Sequence, residues 1–298
     1  MDGELWGALY RVIELVDKAH AQDPRKVHPD AAVVAAYEFA VLHDRPARWA
    51  CKAGNWAGVP QSLRPAALPS QPTLSRRLNH DPGVRRFRAE LAEALGNSFC
   101  VAAVAMAGLI DGKSLPVPRH SSDPDADFGR GAGAVERGYR LHALWHDGRP
   151  LPIWEVRPTS AAESVVARRL IARLPEGGGG YVPGDPWFDT NDAHDRCAAK
   201  GRQLLAPRKK RHAKGLGHRR HSPHRLHALE MLSRPSGRQL YGLRREVERR
   251  FGNLVSFGGG LAPLPAWVRR LSRVRLWVEG KLFINAIRIR LLLERVDE

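Results

Sequence analysis

Cysteine is scarce in this sequence, and its spacing suits neither a cross-linked fold nor a zinc-bound one. Only Cys51, Cys100 and Cys197 occur among 298 residues, and no two of them form a Cys-x-x-Cys pair. An odd number of widely separated cysteines argues against a disulfide framework and against a zinc ribbon. We therefore expect buried thiols and a reducing compartment.

Long apolar runs are also absent. The longest one, residues 99–110, is shorter than the roughly 20 residues that a membrane-spanning helix needs. The N-terminal sequence MDGELWGALY contains acidic residues and lacks the basic segment and cleavage site of a signal peptide. We expect neither a membrane-spanning segment nor a secreted protein.

Acidic residues are too few to balance the basic ones. The chain has 48 Lys and Arg against 31 Asp and Glu, a net charge of +17 and a sequence pI near 10.6. A basic protein of this size most simply has a polyanionic partner. Nucleic acid is the first interpretation and an anionic membrane surface is its rival. We expect no membrane partner, because the basic residues do not follow one amphipathic helix.

Residues 1–97 are predicted to form a mainly helical region. Apolar residues recur at helical spacing in 4–20, and 30–43 is expected to be a second helix. The segment 73–95 contains a short helix, an Asn-His-Asp-Pro-Gly turn and a basic helix. That order is compatible with a DNA-binding helix-turn-helix, and equally with a helical domain that carries surface arginines.

From residue 98 to 298 the pattern changes to that of an α/β domain. Three strands joined by tight links are expected first, and they should be antiparallel. A Gly-rich, acidic loop is expected around 123–134, after the first strand, and the Asp147-Gly148 dipeptide predicts a hairpin between the second and third strands. Later strands alternate with helices and should be parallel. The resulting mixed sheet flanked by helices is the layout of the ribonuclease H-like fold. The predicted strands are 101–110, 138–146, 151–156, 181–183 and 203–206, and the predicted helices are 160–174, 189–200, 237–254 and 266–293.

Three acidic residues lie where such a sheet would bring them together. Asp111 and Asp185 each follow an apolar strand, and Glu248 lies on the helix predicted at 237–254. The carboxyl ends of neighbouring parallel strands meet at one edge of a sheet, and a helix over that edge could supply the third carboxylate. Two divalent ions engaged in phosphoryl transfer need hard oxygen ligands of this kind.

The spacing on that helix adds two candidate DNA ligands. Tyr241, Arg244 and Glu248 are separated by three and four residues, so one continuous helix would place them on one face. Arg244 would then hold either Glu248 or a phosphate. Ordinary surface charge is the alternative interpretation of each residue taken alone.

These motifs resemble those of DDE-type transposases of bacterial insertion sequences, in the branch with a Tyr-x2-Arg-x3-Glu-x6-Lys signature. Tyr241, Arg244 and Glu248 match the signature. The segments that carry the rest of the resemblance are IDGKSLPV, GYRLHALWHDGRPLP and GDPWFDTNDAHDRCAAKGRQLLAPRKK. The resemblance extends over residues 105–294 and implies a ribonuclease H-like fold with Asp111, Asp185 and Glu248 as the catalytic triad.

The resemblance also implies the cofactor and the reaction. The three carboxylates would hold two Mg2+ or Mn2+ ions, and the protein would cut DNA at the ends of an element and join them to target DNA. One position departs from the signature, because Val255 occupies the place of the final lysine. That lysine helps hold DNA-end phosphates in the family. Either Lys113 or the basic stretch near residue 210 compensates for it, or binding of the DNA ends is weaker.

A basic insertion at 207–229 is the second candidate DNA-binding element. Residues 197–229 contain no acid, and the segment includes the cluster Arg208, Lys209, Lys210 and Arg211. Lysine and arginine bind DNA phosphates with a steep dependence on salt. A flexible phosphate-binding loop is the preferred interpretation; the histidines at every third position from 218 to 227 leave a metal-binding tract as the lesser one.

Trp187 lies two residues after Asp185. Its ring could stack on an unpaired base near the cleaved end, or simply pack against the sheet.

The sequence as a whole therefore predicts a bacterial DNA transposase acting in the cytoplasm at the nucleoid. Its expected partners are the terminal inverted repeats of an element and target DNA, with two copies meeting on DNA. Two alternatives stay open: a hydrolytic nuclease of the same fold, and a catalytically inactive, transposase-derived DNA-binding protein.

Overall fold

The computed structural model describes residues 2–97, 108–130, 134–209, 215–216, 220–256, 260–261 and 263–295. By its contacts the chain divides into two compact units, Met1–Phe99 with Asn253–Glu298, and Cys100–Gly252. The sequence analysis instead expects residues 98–298 to form one domain. The difference arises because the long C-terminal helix packs against N-terminal helices.

The first unit is helical. Its described helices are α1 (Asp2–Ala19), α2 (Asp30–Leu42), the short α3 (Ala47–Ala50), α4 (Gln71–His80), α5 (Pro82–Asn97) and the C-terminal helix α11 (Leu271–Glu294). α11 contacts α1, α2 and α5. Helical periodicity predicted α11 as a helix, but it contains no information about which helices would cover it.

Buried polar groups connect helices within this unit. Lys281 on α11 is fully buried, and its Nζ donates to the backbone oxygen of Val41 at 2.8 Å and to Asp44 Oδ1 at 2.6 Å. Asp30 on α2 is likewise buried and accepts from Lys26 and Arg77. Since a buried charge is tolerated only when paired, these contacts fix how the helices meet.

The segment predicted as a helix-turn-helix forms two helices with a very short link. Asp81 alone separates α4 from α5. The turn of a DNA-binding helix-turn-helix has three or four residues. The pair therefore differs from that motif, and its apolar residues Leu74, Leu78, Phe87 and Leu91 are buried in the core of the unit.

The second unit contains the sheet. Its described strands are β1 (Gly108–Pro116), β2 (Asp127–Arg130), β3 (Val135–His146), β4 (Ile153–Pro158), β5 (Tyr181–Pro183) and β6 (Gln203–Leu205). β3 is central in an antiparallel group. β1 pairs with one side of β3, while β2 and β4 pair with successive parts of its other side, β2 with residues 135–138 and β4 with residues 139–144. β5 and β6 pair in parallel, and β5 lies beside β1.

Helices flank these strands: α6 (Glu163–Ala172), α7 (Asn191–Ala199), α8 (Pro223–Ser233), α9 (Pro235–Gly242) and the first part of α10 (Arg245–Val255). An apolar core joins Ile110 and Leu144 of the sheet to Val166 and Leu170 of α6. Antiparallel strands followed by alternating helices and parallel strands form the ribonuclease H-like arrangement that the strand order predicted.

The turn at Asp147-Gly148 explains the hairpin between β3 and β4. Both residues have positive φ, 48° and 68°, and the Arg149 N–H donates to the His146 carbonyl at 2.9 Å. Two central residues of positive φ define the turn that matches the twist of antiparallel strands, and an Asp-Gly sequence favours it. The hairpin expected from this dipeptide is therefore present.

Three expectations about the second unit need correction. β1 continues to Pro116, so Asp111 lies within a strand and not at its end; residues 101–107 lie outside the described part. The Gly-rich acidic loop contains the strand β2. The basic segment 207–229 is not all loop, because Ser222 caps α8, which begins at Pro223.

Candidate active site

Asp111 is held in the sheet by β1. It pairs with Ala143 of β3, and its Oδ1 accepts a hydrogen bond from the Gly112 N–H at 2.8 Å. Burial raises the pKa of Asp111 above its ordinary value. The Gly112 N–H and Arg244 act in the opposite direction, while Asp185 and Glu248 raise the pKa further. The ionised form of this carboxylate therefore depends on nearby positive charge.

Asp185 is positioned by the end of β5. A Cβ at the preceding residue, Gly184, would lie 2.9 Å from Phe188 Cδ2 and 3.1 Å from Ile110 Cγ2, so only glycine allows the chain to pass so near β1. Asp185 then begins a 3₁₀ turn at 186–188, and its Oδ1 accepts from the Trp187 N–H at 2.9 Å. The tight passage beside Ile110 brings Asp185 next to Asp111.

Glu248 comes from α10, which the sheet anchors through an aromatic contact. Phe251 is buried, and its ring centroid lies 4.9 Å from that of Trp145 on β3 in a T-shaped arrangement. Val247 is buried as well. Glu248, directly after Val247, has a side chain that is 66% exposed.

The single helix predicted at 237–254 is two helices. α9 ends at Gly242 and α10 begins at Arg245, so Leu243 and Arg244 form the junction between them. The shared face expected for Tyr241, Arg244 and Glu248 is therefore wrong as a statement of helix geometry. Gly242 was the available signal, because glycine is favoured where a helix ends.

The break places Arg244 among the three acids. Its Nη2 lies 3.1 Å from Asp111 Oδ2 and 3.4 Å from Asp185 Oδ2, and its Nη1 lies 3.8 Å from Glu248 Oε1. Carboxylates from a strand, a strand end and a helix thus converge on one guanidinium. Such a group offsets the repulsion among the carboxylates and gives each a charge-assisted partner.

The donor set fits a hard divalent cation. All three groups are carboxylates, whose oxygens Mg2+ and Mn2+ prefer. In the described part of the chain, no three Asp, Glu, His or Cys side chains lie at the mutual distances of a metal site. Here the guanidinium of Arg244 stands between the acids, and its charge has the sign that a metal would supply.

The remaining predicted DNA ligands near the acids are Lys113 and Tyr241. Lys113 is two residues after Asp111 on β1, so both residues project to the same face of the sheet. Tyr241 lies in the last turn of α9, half-buried and three residues before Arg244. Both residues therefore lie on elements that border the acids.

Trp187 and Lys209 form a second cluster next to Asp185. Trp187 is 45% exposed, and Lys209 Nζ lies 3.9 Å from the centre of its ring. This exposure argues against simple packing of the indole against the sheet. Arg208 donates to the Gly215 carbonyl, whereas Lys210 and Arg211 lie outside the described residues.

An ion pair that the sequence analysis missed holds the segment after Asp185. Asp189 accepts from Arg225 on α8 through both oxygens, at 2.6 and 2.7 Å, and from the Lys209 N–H at 3.4 Å. His194 Nε2 lies 3.5 Å from the same carboxylate. Burial alone would raise the pKa of Asp189, but these partners outweigh it and lower the pKa to about 2.

The histidine tract takes no part in a described metal cluster. His221 contacts Arg225, and His224 and His227 lie on α8. His218 is outside the described residues.

The chain matches a known protein family. The family model of the transposase DDE domain matches residues 104–270, more than half of the chain, and the matched region contains all three acids together with Arg244. No curated protein and no solved structure matches the chain. In the part of the chain that the structure describes, no helix is both long and apolar enough to span a bilayer.

Proposed function

The chain belongs to the transposase DDE domain family, and from that premise we propose that it cuts DNA at the ends of a transposable element and joins those ends to target DNA. Divalent metal ions serve the chemistry of this family generally, and DNA is the partner that the family implies. The observation that carries the finer proposal is the convergence of Asp111, Asp185 and Glu248 on Arg244.

In this proposal the three carboxylates hold two Mg2+ or Mn2+ ions. Ions bound there would activate water and offset charge on the phosphate and on the leaving 3′-oxygen. Asp111 supplies a partly buried carboxylate and Glu248 an exposed one on a helix. This difference in exposure means that Glu248 has the greatest freedom to adjust when DNA enters.

Arg244 has two successive partners in the proposed cycle. Without DNA it stabilises the ionised acids. When a phosphodiester approaches, its planar guanidinium can bind phosphate oxygens instead, because carboxylate and phosphate present similar pairs of acceptors. Lys113 and Tyr241 lie on elements that border the three acids and would hold neighbouring phosphates.

Trp187 and Lys209 are proposed to bind the DNA strand next to the cleaved bond. The exposed indole offers a face for an unpaired base, and Lys209 offers a cation for the adjacent phosphate. Arg208, Lys210 and Arg211 extend the basic segment along the DNA. Since DNA is the substrate, we expect the protein to act at the bacterial nucleoid, with two copies pairing two ends.

The test is cleavage of a linear DNA that carries the flanks of the gene, with Mg2+ or Mn2+ present. Asp111→Asn, Asp185→Asn and Glu248→Gln should each lower the cleavage rate by at least about a hundredfold, as loss of a main electrostatic contributor does, while DNA affinity stays within a few-fold. Retention of metal-dependent cleavage by Asp185→Asn would overturn the assignment.

Matched acids provide the controls. Glu246 lies two residues from Glu248 on α10 and pairs with Arg249 and Arg250. Asp192 on α7 pairs with Arg196. Glu246→Gln and Asp192→Asn remove the same charge without touching Arg244, so both variants should cleave at the unaltered rate.

Val255 favours one alternative, an inactive DNA-binding protein. It ends α10 and cannot hold a phosphate as the lysine of the signature would. Such a protein would bind the flanking DNA with no dependence on divalent ions and would not cut it. A hydrolytic nuclease would cut but would not join pre-cut ends to a target. The cleavage assay and a strand-transfer assay with pre-cut DNA therefore separate all three functions when they are used together.

A further inference from the structure

A cavity in the helical unit has the lining of a nucleotide site and plays no part in the proposed cleavage. Its volume is about 350 Å3, within the range of about 300–1,000 Å3 that small-ligand pockets occupy. Residues from α2 to α4 and from 267–277 line it, and all of them belong to the same compact unit.

The floor of the cavity is aromatic and aliphatic. Tyr37, Leu78, Leu276 and Trp277 are buried beneath it. Trp267 also lines the cavity, but it is 44% exposed. An indole left half open to solvent beside a buried apolar floor is suited to a flat ring that slides in from outside, as the stacking of bases on aromatic side chains requires.

The rim of the cavity is cationic. Arg45, Arg48 and Arg273 are exposed lining residues, and no Asp or Glu occurs in the described lining. Within the described residues, none of the three forms an ion pair with a carboxylate, unlike Arg77 or Arg88 in the same unit. Three arginines without carboxylate partners attract a phosphate-bearing ligand.

One stripe of α4 adds groups that can bind a base edge. Gln71, Ser75 and Asn79 recur every four residues and all line the cavity. Asn79 Nδ2 donates to the Ser75 carbonyl at 2.7 Å, which fixes the orientation of that amide. Asparagine and glutamine are the side chains that bind base edges through paired donors and acceptors.

We propose that this cavity binds one nucleotide of single-stranded DNA, with the base on Trp267 and the apolar floor and the flanking phosphates on Arg45, Arg48 and Arg273. A DNA strand is favoured over a free nucleotide because the arginines lie on the open rim, where phosphates on both sides of the base can reach them. The choice of DNA as the strand rests on the proposed function. The assignment of a nucleotide ligand rests on the residues that line the cavity.

The experiment compares two fluorescent tetranucleotides of equal charge, one with bases and one abasic, bound to the full-length protein in EDTA. The normal tetranucleotide should bind more tightly than the abasic one. Trp267→Ala should weaken binding of the normal tetranucleotide roughly tenfold, the size of effect that loss of a stacking aromatic produces. It should leave binding of the abasic tetranucleotide unaltered.

Two matched variants test whether the effect belongs to the cavity. Leu292→Ala removes an apolar side chain of nearly equal exposure, 46%, from α11. Arg273→Gln should weaken both tetranucleotides, whereas Arg11→Gln removes an exposed arginine of α1 outside the cavity and should weaken neither. Equal losses in Trp267→Ala and Leu292→Ala would overturn the proposal.

Photocrosslinking locates the base independently. A tetranucleotide with 5-iodo-deoxyuridine should crosslink to the peptides that contain Trp267 or Trp277. Crosslinks confined to residues 108–252 would overturn the proposal, as would binding of ATP by a protein that does not bind the tetranucleotide. Because EDTA prevents metal-dependent cleavage, these results do not depend on whether Asp111, Asp185 and Glu248 are catalytic.

Discussion

Arg244 Nη2 lies 3.1 Å from Asp111 Oδ2, which links the junction of two helices to the middle of a strand 133 residues away. The same nitrogen reaches Asp185, so one guanidinium neutralises two carboxylates that would otherwise repel each other. A divalent cation at these acids would compete with Arg244 for the same oxygens. Binding of a divalent cation therefore opposes the contacts of Arg244 with these acids.

Arg244→Gln should raise the affinity of the DNA-free protein for Mn2+. A hydrogen bond to a charged group is worth about 1.5 kcal/mol or more, so loss of this competitor should tighten metal binding roughly tenfold. Isothermal titration calorimetry measures the change. DNA cleavage should fall at the same time, because the proposed phosphate contact is lost.

Arg245 offers the matched control for that prediction, since it is the exposed arginine next along the chain. Arg245→Gln removes the same charge and should leave Mn2+ affinity unaltered. Weaker Mn2+ binding by Arg244→Gln would contradict the competition and indicate that Arg244 instead organises the three acids for the metal.

Asp189 should make folding stability dependent on acid pH. Its pKa is about 2 in the folded protein against 3.8 ordinarily, so the stabilisation is present above about pH 4 and is lost as pH falls towards 2. The difference corresponds to about 2 kcal/mol. Thermal unfolding of Asp189→Asn across this pH range should have a smaller slope than that of the unaltered protein.

Asp192→Asn is the control for pH dependence, because the Asp192 side chain is 44% exposed and forms only surface ion pairs. Its unfolding midpoint should follow that of the unaltered protein at every pH. If Asp189→Asn does so too, the ion pair with Arg225 does not stabilise the fold.

Phe251 should matter for both stability and activity. Replacing this buried ring by alanine removes the T-shaped contact with Trp145 and should cost about 3–5 kcal/mol of unfolding free energy. Cleavage should fall because α10 also carries Glu248. Phe251→Leu keeps much of the buried volume and should recover most of the unfolding free energy and of the cleavage rate. Arg249→Ala, at an exposed position of α10, should alter neither the unfolding free energy nor the cleavage rate.

Trp187→Ala should reduce binding of an unpaired base next to the cleaved end. Stacking on an aromatic side chain contributes about 1–3 kcal/mol per base, so affinity for an end with one extruded 2-aminopurine should fall roughly tenfold. Quenching of 2-aminopurine fluorescence measures the contact directly. Trp187→Phe keeps an aromatic face and should retain most of the quenching, whereas unaltered quenching in Trp187→Ala would place the base elsewhere.

Local patterns predicted the elements that depend on local sequence. The strand β5 was predicted with its observed bounds, and the Asp147-Gly148 turn identified the hairpin between β3 and β4. In each case the deciding residues are neighbours in the chain. Strand order then follows from linker lengths, which is why the ribonuclease H-like arrangement could be inferred before any contact was known.

Contacts between distant residues could not be predicted in this way. Arg225 and Asp189 are 36 residues apart, and nothing in either local pattern pairs them. β2 lies in a glycine-rich segment without alternating hydrophobicity, so no period marked it as a strand. The convergence of three acids was expected from the strand ends. In the structure it also depends on the break between α9 and α10 that places Arg244 among the acids, and helical spacing alone did not predict this break.

Val255→Lys should restore a phosphate contact that the family signature contains. One additional Lys-phosphate contact should steepen the dependence of log affinity on log salt by nearly one unit and tighten binding of the flanking DNA at low salt. Fluorescence anisotropy at several salt concentrations measures both. Val255→Leu changes the side chain without adding charge and should leave the slope unaltered. If Val255→Lys also leaves it unaltered, the end of α10 does not reach DNA phosphate, and the basic segment that includes Lys209 must supply the contact.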